Sequence, residues 1–370
     1  MNIVFVSNFL NHHQIPFCEK MIELCDNFNF IATQAGSRQG YQTTTDAPYV
    51  INYNSENKNK VENMIKSADA VIFGACPNEL IDLRMRENKL SFLYSERFLK
   101  KGLWRRFIPT TRKKIKDRIV KFKNKNMYVL CASAYLSYEL SLFNFPVEKC
   151  YKWGYFPECK NYDIDELISN KTKNSILWCA RLIDWKHPEI SVLVAEKLKS
   201  LNVDFKLNII GTGALEDEIK SMIKEKNLDD FIEIIGSMPP EEVRKNMEKS
   251  QVFLMTSDRQ EGWGAVLNES MNSACAVIAN KAAGAVPYLI KNGENGFAYT
   301  KCDIDDICEK IIELFNDEEK MKSVQEQAYY TISNEWNSKV AAERLTKLSN
   351  AILNGEQSPD LFEDGICSKS

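Results

Sequence analysis

The hydrophobic positions fall into short apolar runs separated by longer stretches of helical periodicity. In the first half the runs are NIVFVS (2–7), ADAVIF (68–73), KLSFLY (89–94) and MYVLCA (127–132). Short apolar runs that alternate with helical segments read as buried strands of a parallel sheet. The first helix has Pro16 near its start, where a missing N–H costs nothing, and an apolar stripe of Phe17, Met21 and Leu24. The second half repeats the arrangement with SILWCA (175–180), KLNIIG (206–211), FIEIIG (231–236), QVFLMT (251–256) and AVIAN (276–280). A helix opened by Pro188 turns Ile190, Leu193, Val194, Leu198 and Leu201 inward, and the next uses Leu215, Ile219, Met222 and Ile223. Later helices carry the stripes Ile307, Ile311, Leu314, Phe315 and Val340, Leu345, Leu348, Ile352. The expected fold class is α/β, with two Rossmann-like, doubly wound parallel-sheet domains at 1–157 and 173–335. The polar stretch 158–172 reads as a linker, and residues 354–370 read as a flexible tail.

Length and composition agree with two domains. A chain of 370 residues exceeds one ordinary core, and 44% hydrophobic with 27% charged residues excludes a disordered or collagen-like chain. No apolar run reaches the roughly 18 residues that a membrane helix needs. The start, MNIVFVSNF, lacks a basic region and a small-residue cleavage site, so no signal peptide is expected. The eleven cysteines are scattered, with Cys131, Cys179 and Cys275 inside apolar stretches and no CxxC pair. They read as reduced core thiols of a cytoplasmic protein, with no metal site expected.

The net charge of −3 conceals an asymmetry. Residues 97–125 hold 13 Lys and Arg against Asp117 alone, a local charge of +12, which leaves −15 for the remainder. A basic stripe in an acidic chain suggests one polyanionic or membrane-surface contact and argues against a general nucleic-acid binder. In one reading Phe98, Trp104 and Phe107 enter the headgroup region of an anionic membrane, with the protein peripheral at the inner face of the plasma membrane. In the plainer reading the segment is a solvated basic helix packed by Ile115, Ile119 and Phe122.

Candidate chemistry collects at strand ends, where open parallel sheets bind ligands. Arg181 follows the strand at 175–180, Gly211 and Gly213 follow 206–211, and Gly236 and Ser237 follow 231–236. Ser257 through Gly264 follow 251–256, while Asn8, Gly74, Ser95 and Glu96 take corresponding places in the first half. Two such rims facing each other would make a cleft. The segment EGWGAVLNE sets Glu261 in a loop before a helix and Glu269 about one and a half turns inside it. The backbone N–H groups at Gly264 and Ala265, ahead of Val266, would form an anion site at the helix start. Arg181 and Lys186, beside another helix start, suit a diphosphate. The plain alternatives are a solvated acid pair, surface cations and glycines that serve only chain geometry.

These residues, in this order, resemble the retaining nucleotide-sugar glycosyltransferases of family 4, which have the two-domain GT-B fold. The matching elements are Ala180-Arg181-Leu182 with Lys186, then Gly211-Thr212-Gly213. Ser257 follows, with Glu261-Gly262-Trp263-Gly264 through Glu269, then the turn Gly284-Ala285-Val286-Pro287. His187 stands where glycine is usual, and the first loop, SNFLNHHQIPF, has no double glycine. The resemblance implies that Arg181 and Lys186 hold a donor diphosphate, Glu261 binds the donor sugar's hydroxyls and Glu269 takes the ribose. It implies that Gly211, Gly213, Gly236, Ser237, Ser257, Gly264, Ala265 and Val266 line the nucleotide. It further implies a UDP-linked donor as substrate, a glycan or polyprenyl-linked saccharide as acceptor, no metal and no cofactor. The helix at 336–353 would pack back on the first domain. His13 or Glu96, in the first domain, could orient the acceptor. A nucleotide-sugar epimerase or hydrolase on the same architecture is the alternative. A nicotinamide dehydrogenase is disfavoured because no GxGxxG follows the first strand.

Overall fold

The computed structural model describes residues 1–34, 47–301 and 303–370. The chain forms two compact units, Met1–Glu158 together with Trp336–Ser370, and Cys159–Glu335.

The first unit holds a parallel sheet of β1 (Asn2–Ser7), β2 (Asn27–Ala32), β3 (Val50–Asn52), β4 (Ala70–Phe73), β5 (Ser91–Ser95), β6 (Met127–Cys131) and β7 (Cys150–Lys152). Their order is β3-β2-β1-β4-β5-β6-β7, with Phe5 opposite Phe30 on one side and Ile72 on the other. Three strands were not legible in the sequence. In β2 the polar Asn27 and Asn29 interrupt the apolar run, while β3 and β7 are edge strands of three residues, too short to show a period. Val6, Ile31, Phe73, Leu93 and Val129 are among the core residues of one cluster, each contributing about 1.5–3 kcal/mol by burial.

The helix Ile15–Leu24 buries Phe17, Cys18 and Met21. Leu24, expected on that stripe, is 44% exposed because the helix stops at that residue and the chain turns extended at Cys25. The helix Ser338–Leu353 packs on Ile15–Leu24 and buries Ala341, Ala342, Leu345 and Leu348. Residues 354–370, expected as a flexible tail, are folded onto β7. The Tyr151 hydroxyl donates to the Pro359 carbonyl at 2.9 Å, Lys152 N to Ser368 O at 2.8 Å and Cys367 N to Lys152 O at 2.9 Å. Ile366, Cys367 and Ser368 are buried. The reason is the edge of the sheet, whose open backbone groups accept a partner.

The second unit holds the parallel strands β8 (Thr172–Cys179), β9 (Lys206–Ile210), β10 (Ile232–Gly236), β11 (Ser250–Met255), β12 (Ala276–Asn280) and β13 (Phe297–Tyr299). Their order, β10-β9-β8-β11-β12-β13, is that of a doubly wound sheet with its switch point between β8 and β11. The helix Pro188–Ser200 buries Ile190, Val194 and Leu198, whereas Leu201 lies one residue past its end and is 49% exposed. Residues 158–172, expected as a linker, carry a helix of their own, Ile164–Ser169, capped by Asp163. Lys171 is buried there, and its ammonium donates to the carbonyls of Met247, Glu248, Ser250 and Ser273 at 2.8–3.2 Å. Its polarity serves buried carbonyl oxygens, which a composition reading takes for solvent exposure.

The basic segment is a 3₁₀ turn (Leu103–Phe107), a helix (Pro109–Arg118) and a second 3₁₀ turn (Val120–Phe122). Ile115, Ile119 and Phe122 are buried, and Phe98, expected to stand out, packs against the core. No helix among the described residues is long and apolar enough to cross a membrane.

Candidate functional site

At the switch point of the second sheet, two loops leave adjacent strands and are tied together. Trp178 of β8 donates its indole N–H to the Thr256 hydroxyl at 2.7 Å, and that hydroxyl donates to the Lys186 carbonyl at 2.5 Å. Asp258 N donates to Trp185 O at 2.9 Å. These bonds carry Lys186, on the turn Asp184–Lys186, to the loop after β11, where its ammonium forms an ion pair with Glu261. The two side chains are 13% and 15% exposed, so each charge depends on the other for most of its solvation. Arg181 is exposed, with its guanidinium 5.6 Å from the Trp185 ring centre, a cation–π contact that aims it.

The glycines of the next loop have a backbone reason. Gly211 has φ +141°, and a Cβ there would stand 1.8 Å from the Ala180 carbonyl oxygen. At Gly213 a Cβ would stand 2.2 Å from the Leu182 oxygen. The loop after β9 therefore lies backbone to backbone against the loop that carries Arg181, fastened by Leu182 N to Thr212 O at 3.0 Å. Gly236 and Ser237 stand at the end of β10, the edge strand, two positions over from β8, and Ser237 is exposed.

Gly264, at φ +98°, starts the helix Ala265–Asn272, and a Cβ there would meet Met255 Cε at 2.5 Å and Glu261 Cγ at 3.3 Å. Ala265 and Val266 are half-buried in the first turn, where the helix dipole is positive, and Ser257 is buried. Glu269 lies in the next turn, half-buried; burial raises its carboxyl pKa and Arg244 partly offsets the rise. Cys179, at the end of β8, is pushed up to about 12 by burial and by Glu269, against the pull of Lys186. The Glu261 loop is braced from behind. Gly284 N donates to Glu261 O at 3.2 Å and Ala285 N to Trp263 O at 3.1 Å, while the buried Trp263 donates its indole N–H to Asn268 at 2.9 Å.

His187 occupies a left-handed position (φ +50°), which explains why glycine is usual there. Histidine is held in place by Glu189, 2.7 Å from its Nδ1, and by Asp258, 3.7 Å from its Nε2.

In the first unit, two residues singled out separately prove to be neighbours through a third. His13 stacks on Tyr155 with ring centres 4.3 Å apart and planes 9° from parallel, and the Tyr155 hydroxyl donates to Glu96 at 2.6 Å. Glu96 is also paired with Lys100. These residues follow β1, β7 and β5, at the ligand-binding ends of the strands. Burial, then the neighbouring His12, lowers His13 to a pKa of about 3, so its ring is neutral. Tyr155 was not identified from sequence, because an aromatic residue in WGYFP carries no periodic or motif signal.

Residues 160–331 match the family described as Glycosyl transferases group 1. The chain is 24% identical over 282 residues to the amylovoran biosynthesis glycosyltransferase AmsK of Erwinia amylovora, covering 74% of this chain and 67% of that protein. It is 26% identical over 179 residues to the putative colanic acid biosynthesis glycosyltransferase WcaL of Salmonella typhimurium, covering 47% of this chain and 44% of that protein. Among solved structures, Anabaena HepE in complex with UDP superposes with a TM-score of 0.74 at 14% identity, covering 95% of this chain and 100% of that one. The lipopolysaccharide outer core galactosyltransferase WaaB in its apo form gives 0.68 at 14% identity, covering 96% and 100%. The fold shared with these structures is GT-B.

Proposed function

We propose, from the premise that residues 160–331 belong to glycosyl transferases group 1, that the protein moves a sugar from a UDP-linked donor to a hydroxyl of a glycan or lipid-linked oligosaccharide. The transfer retains the anomeric configuration and serves cell-surface polysaccharide biosynthesis. The ion pair of Lys186 with Glu261 at the switch point carries the reading, because a cation beside a carboxylate suits a diphosphate joined to a sugar. The names of AmsK and WcaL support the polysaccharide class, and the UDP held by HepE supports the donor class.

In this mechanism the donor diphosphate competes with Glu261 for Lys186. Lys186 and Arg181 then neutralise the charge that develops on the departing diphosphate, helped by the N-terminus of Ala265–Asn272. Glu261, released from Lys186, accepts hydrogen bonds from the sugar's hydroxyls, and Glu269 accepts those of the ribose. A donor phosphate oxygen takes the acceptor proton on the same face, so that no protein base is required. The cations take the part that a metal plays elsewhere, and this makes transfer metal-independent.

A thermal-shift screen of nucleotide sugars tests the donor, since a ligand that binds only the native state raises its melting temperature. A UDP-sugar is expected to do so, and no shift with any UDP or GDP compound would count against the reading. Lys186→Ala and Glu261→Ala are each expected to lower transfer by about 100-fold or more with circular dichroism unchanged. Near-normal rates in both would remove the site. Incubation without acceptor separates transfer from epimerisation or hydrolysis, and the product's anomeric coupling constant reports retention.

A further inference from the structure

Of the basic segment's 13 cations, six are held by the protein itself, Arg112 among them through the Arg106 carbonyl at 3.5 Å. Arg97 is buried against Glu139 at 3.0 Å, and Lys100 pairs with Glu96. Arg118 donates to Cys76 O and Asn78 at 2.7 and 2.9 Å, Lys121 pairs with Asp82 at 2.5 Å, and Lys125 donates to Met85 O at 2.8 Å. The remainder differ in kind. Among the described residues no carboxylate pairs with Lys101, Arg105, Arg106, Lys113 or Lys116. On the helix Pro109–Arg118 the last two lie about 100° of arc or more from the buried Ile115.

Beside these cations stand two bare rings. Trp104 is 61% exposed and Phe107 66%, more than any other large hydrophobic side chain described. They lie three apart on the 3₁₀ turn Leu103–Phe107, a spacing that places side chains one above the other on the same side. Arg105 and Arg106 lie over them, at 5.7 and 4.7 Å from the ring centres. Gly102 shapes the turn: at φ +126° its missing Cβ leaves room for the indole, which a Cβ would meet at 2.6 Å. The rings are thus carried on a backbone built to present them, and their exposure is not a fraying end.

We infer that Trp104 and Phe107, ringed by unpaired Lys and Arg, dock the first unit onto an anionic lipid surface. The cations alone would fit any polyanion. The rings favour one occupant, because exposed Trp and Phe gain by burial where an apolar phase meets the charge, as at the headgroup boundary of a bilayer. Each near-surface cation adds attraction that salt screens. Docking does not depend on the proposed transfer reaction, and its test reads binding alone.

Flotation of the full chain with vesicles of one-third phosphatidylglycerol in phosphatidylcholine, against phosphatidylcholine alone, gives the answer. The expected result is binding to the anionic vesicles that falls at least tenfold between 50 and 500 mM salt. Trp104→Ala with Phe107→Ala should lose binding at low salt, and Lys113→Glu with Lys116→Glu should lose it as well. All four positions are on the surface, so melting temperatures should match the parent's. Equal absence from both vesicle types would overturn the inference. So would retention of binding by the aromatic double variant, or equal affinity of parent and that variant for soluble polyphosphate with displacement from vesicles, which would assign the patch to a polyanion.

Discussion

His13 is a histidine that cannot act as a cation in the folded protein. With its pKa lowered from 6.5 to about 3, it contributes stability above pH 6.5 that is lost as the pH falls from there toward 3, because the unfolded chain takes up a proton that the folded chain refuses. The expected loss is about 1 kcal/mol by pH 5.5. Urea midpoints of the parent and His13→Gln at pH 7.5 and 5.5 check it, and equal losses in both proteins would show that other groups dominate. Tyr155 has a separate part. Tyr155→Phe keeps the stack on His13 and removes the hydrogen bond to Glu96. If Glu96 positions the acceptor, the acceptor's KM should rise several-fold while the donor's stays level. A fall in kcat with both KM values unchanged would speak against it. Sequence could find His13 and Glu96 because their types are reactive and they follow strands. It could not find their relation, because that rests on a ring 59 residues after Glu96.

At the scale of elements, what was legible follows from burial. Strands buried on both faces, such as β4 and β6, announce themselves as continuous apolar runs. The strands β3, β7 and β13 have three residues each, and tertiary pairing alone defines them. Loops at the switch point were legible by residue type, but the purpose of their glycines was not. Gly211 and Gly213 keep two backbones in contact, whereas nothing lies within 4 Å of a Cβ at Gly236. The consequence separates them. Gly213→Ala should cost about 2 kcal/mol or more through displaced backbone, and Gly236→Ala only about 1 kcal/mol for its positive φ. Denaturant midpoints measure both. Because the contact of Gly213 is with the loop that bears Arg181, its variant should also lose donor binding more than its stability loss predicts.

For the whole molecule, the net charge of −3 is a poor description of a surface with a local +12. The structure divides that segment into cations committed to the fold and cations left outward, and the division could not be read from sequence because it depends on Glu139, Asp82 and the carbonyls of Cys76 and Met85, all distant in the chain. Raising ionic strength should therefore weaken vesicle binding without unfolding the protein: the buried Arg97 and Glu139 pair is screened little, while the outward cations are screened fully. Melting curves and flotation over the same salt series compare the two directly. Coincident loss of fold and binding would count against that division.

The first unit is made of Met1–Glu158 and Trp336–Ser370, with Ile366 and Cys367 buried beside β7. Translation delivers those pieces at different times. While the ribosome is still making Cys159–Glu335, the opening unit waits with the edge of β7 and the apolar face of Ile15–Leu24 uncovered, and the later unit has all of its strands first. Order of synthesis and order of completion are thus reversed, and the waiting surfaces are ones that a holding chaperone would cover. Protease challenge of stalled nascent chains should find Cys159–Glu335 resistant at a length where Met1–Glu158 is still cut. The opposite order of protection would refute this.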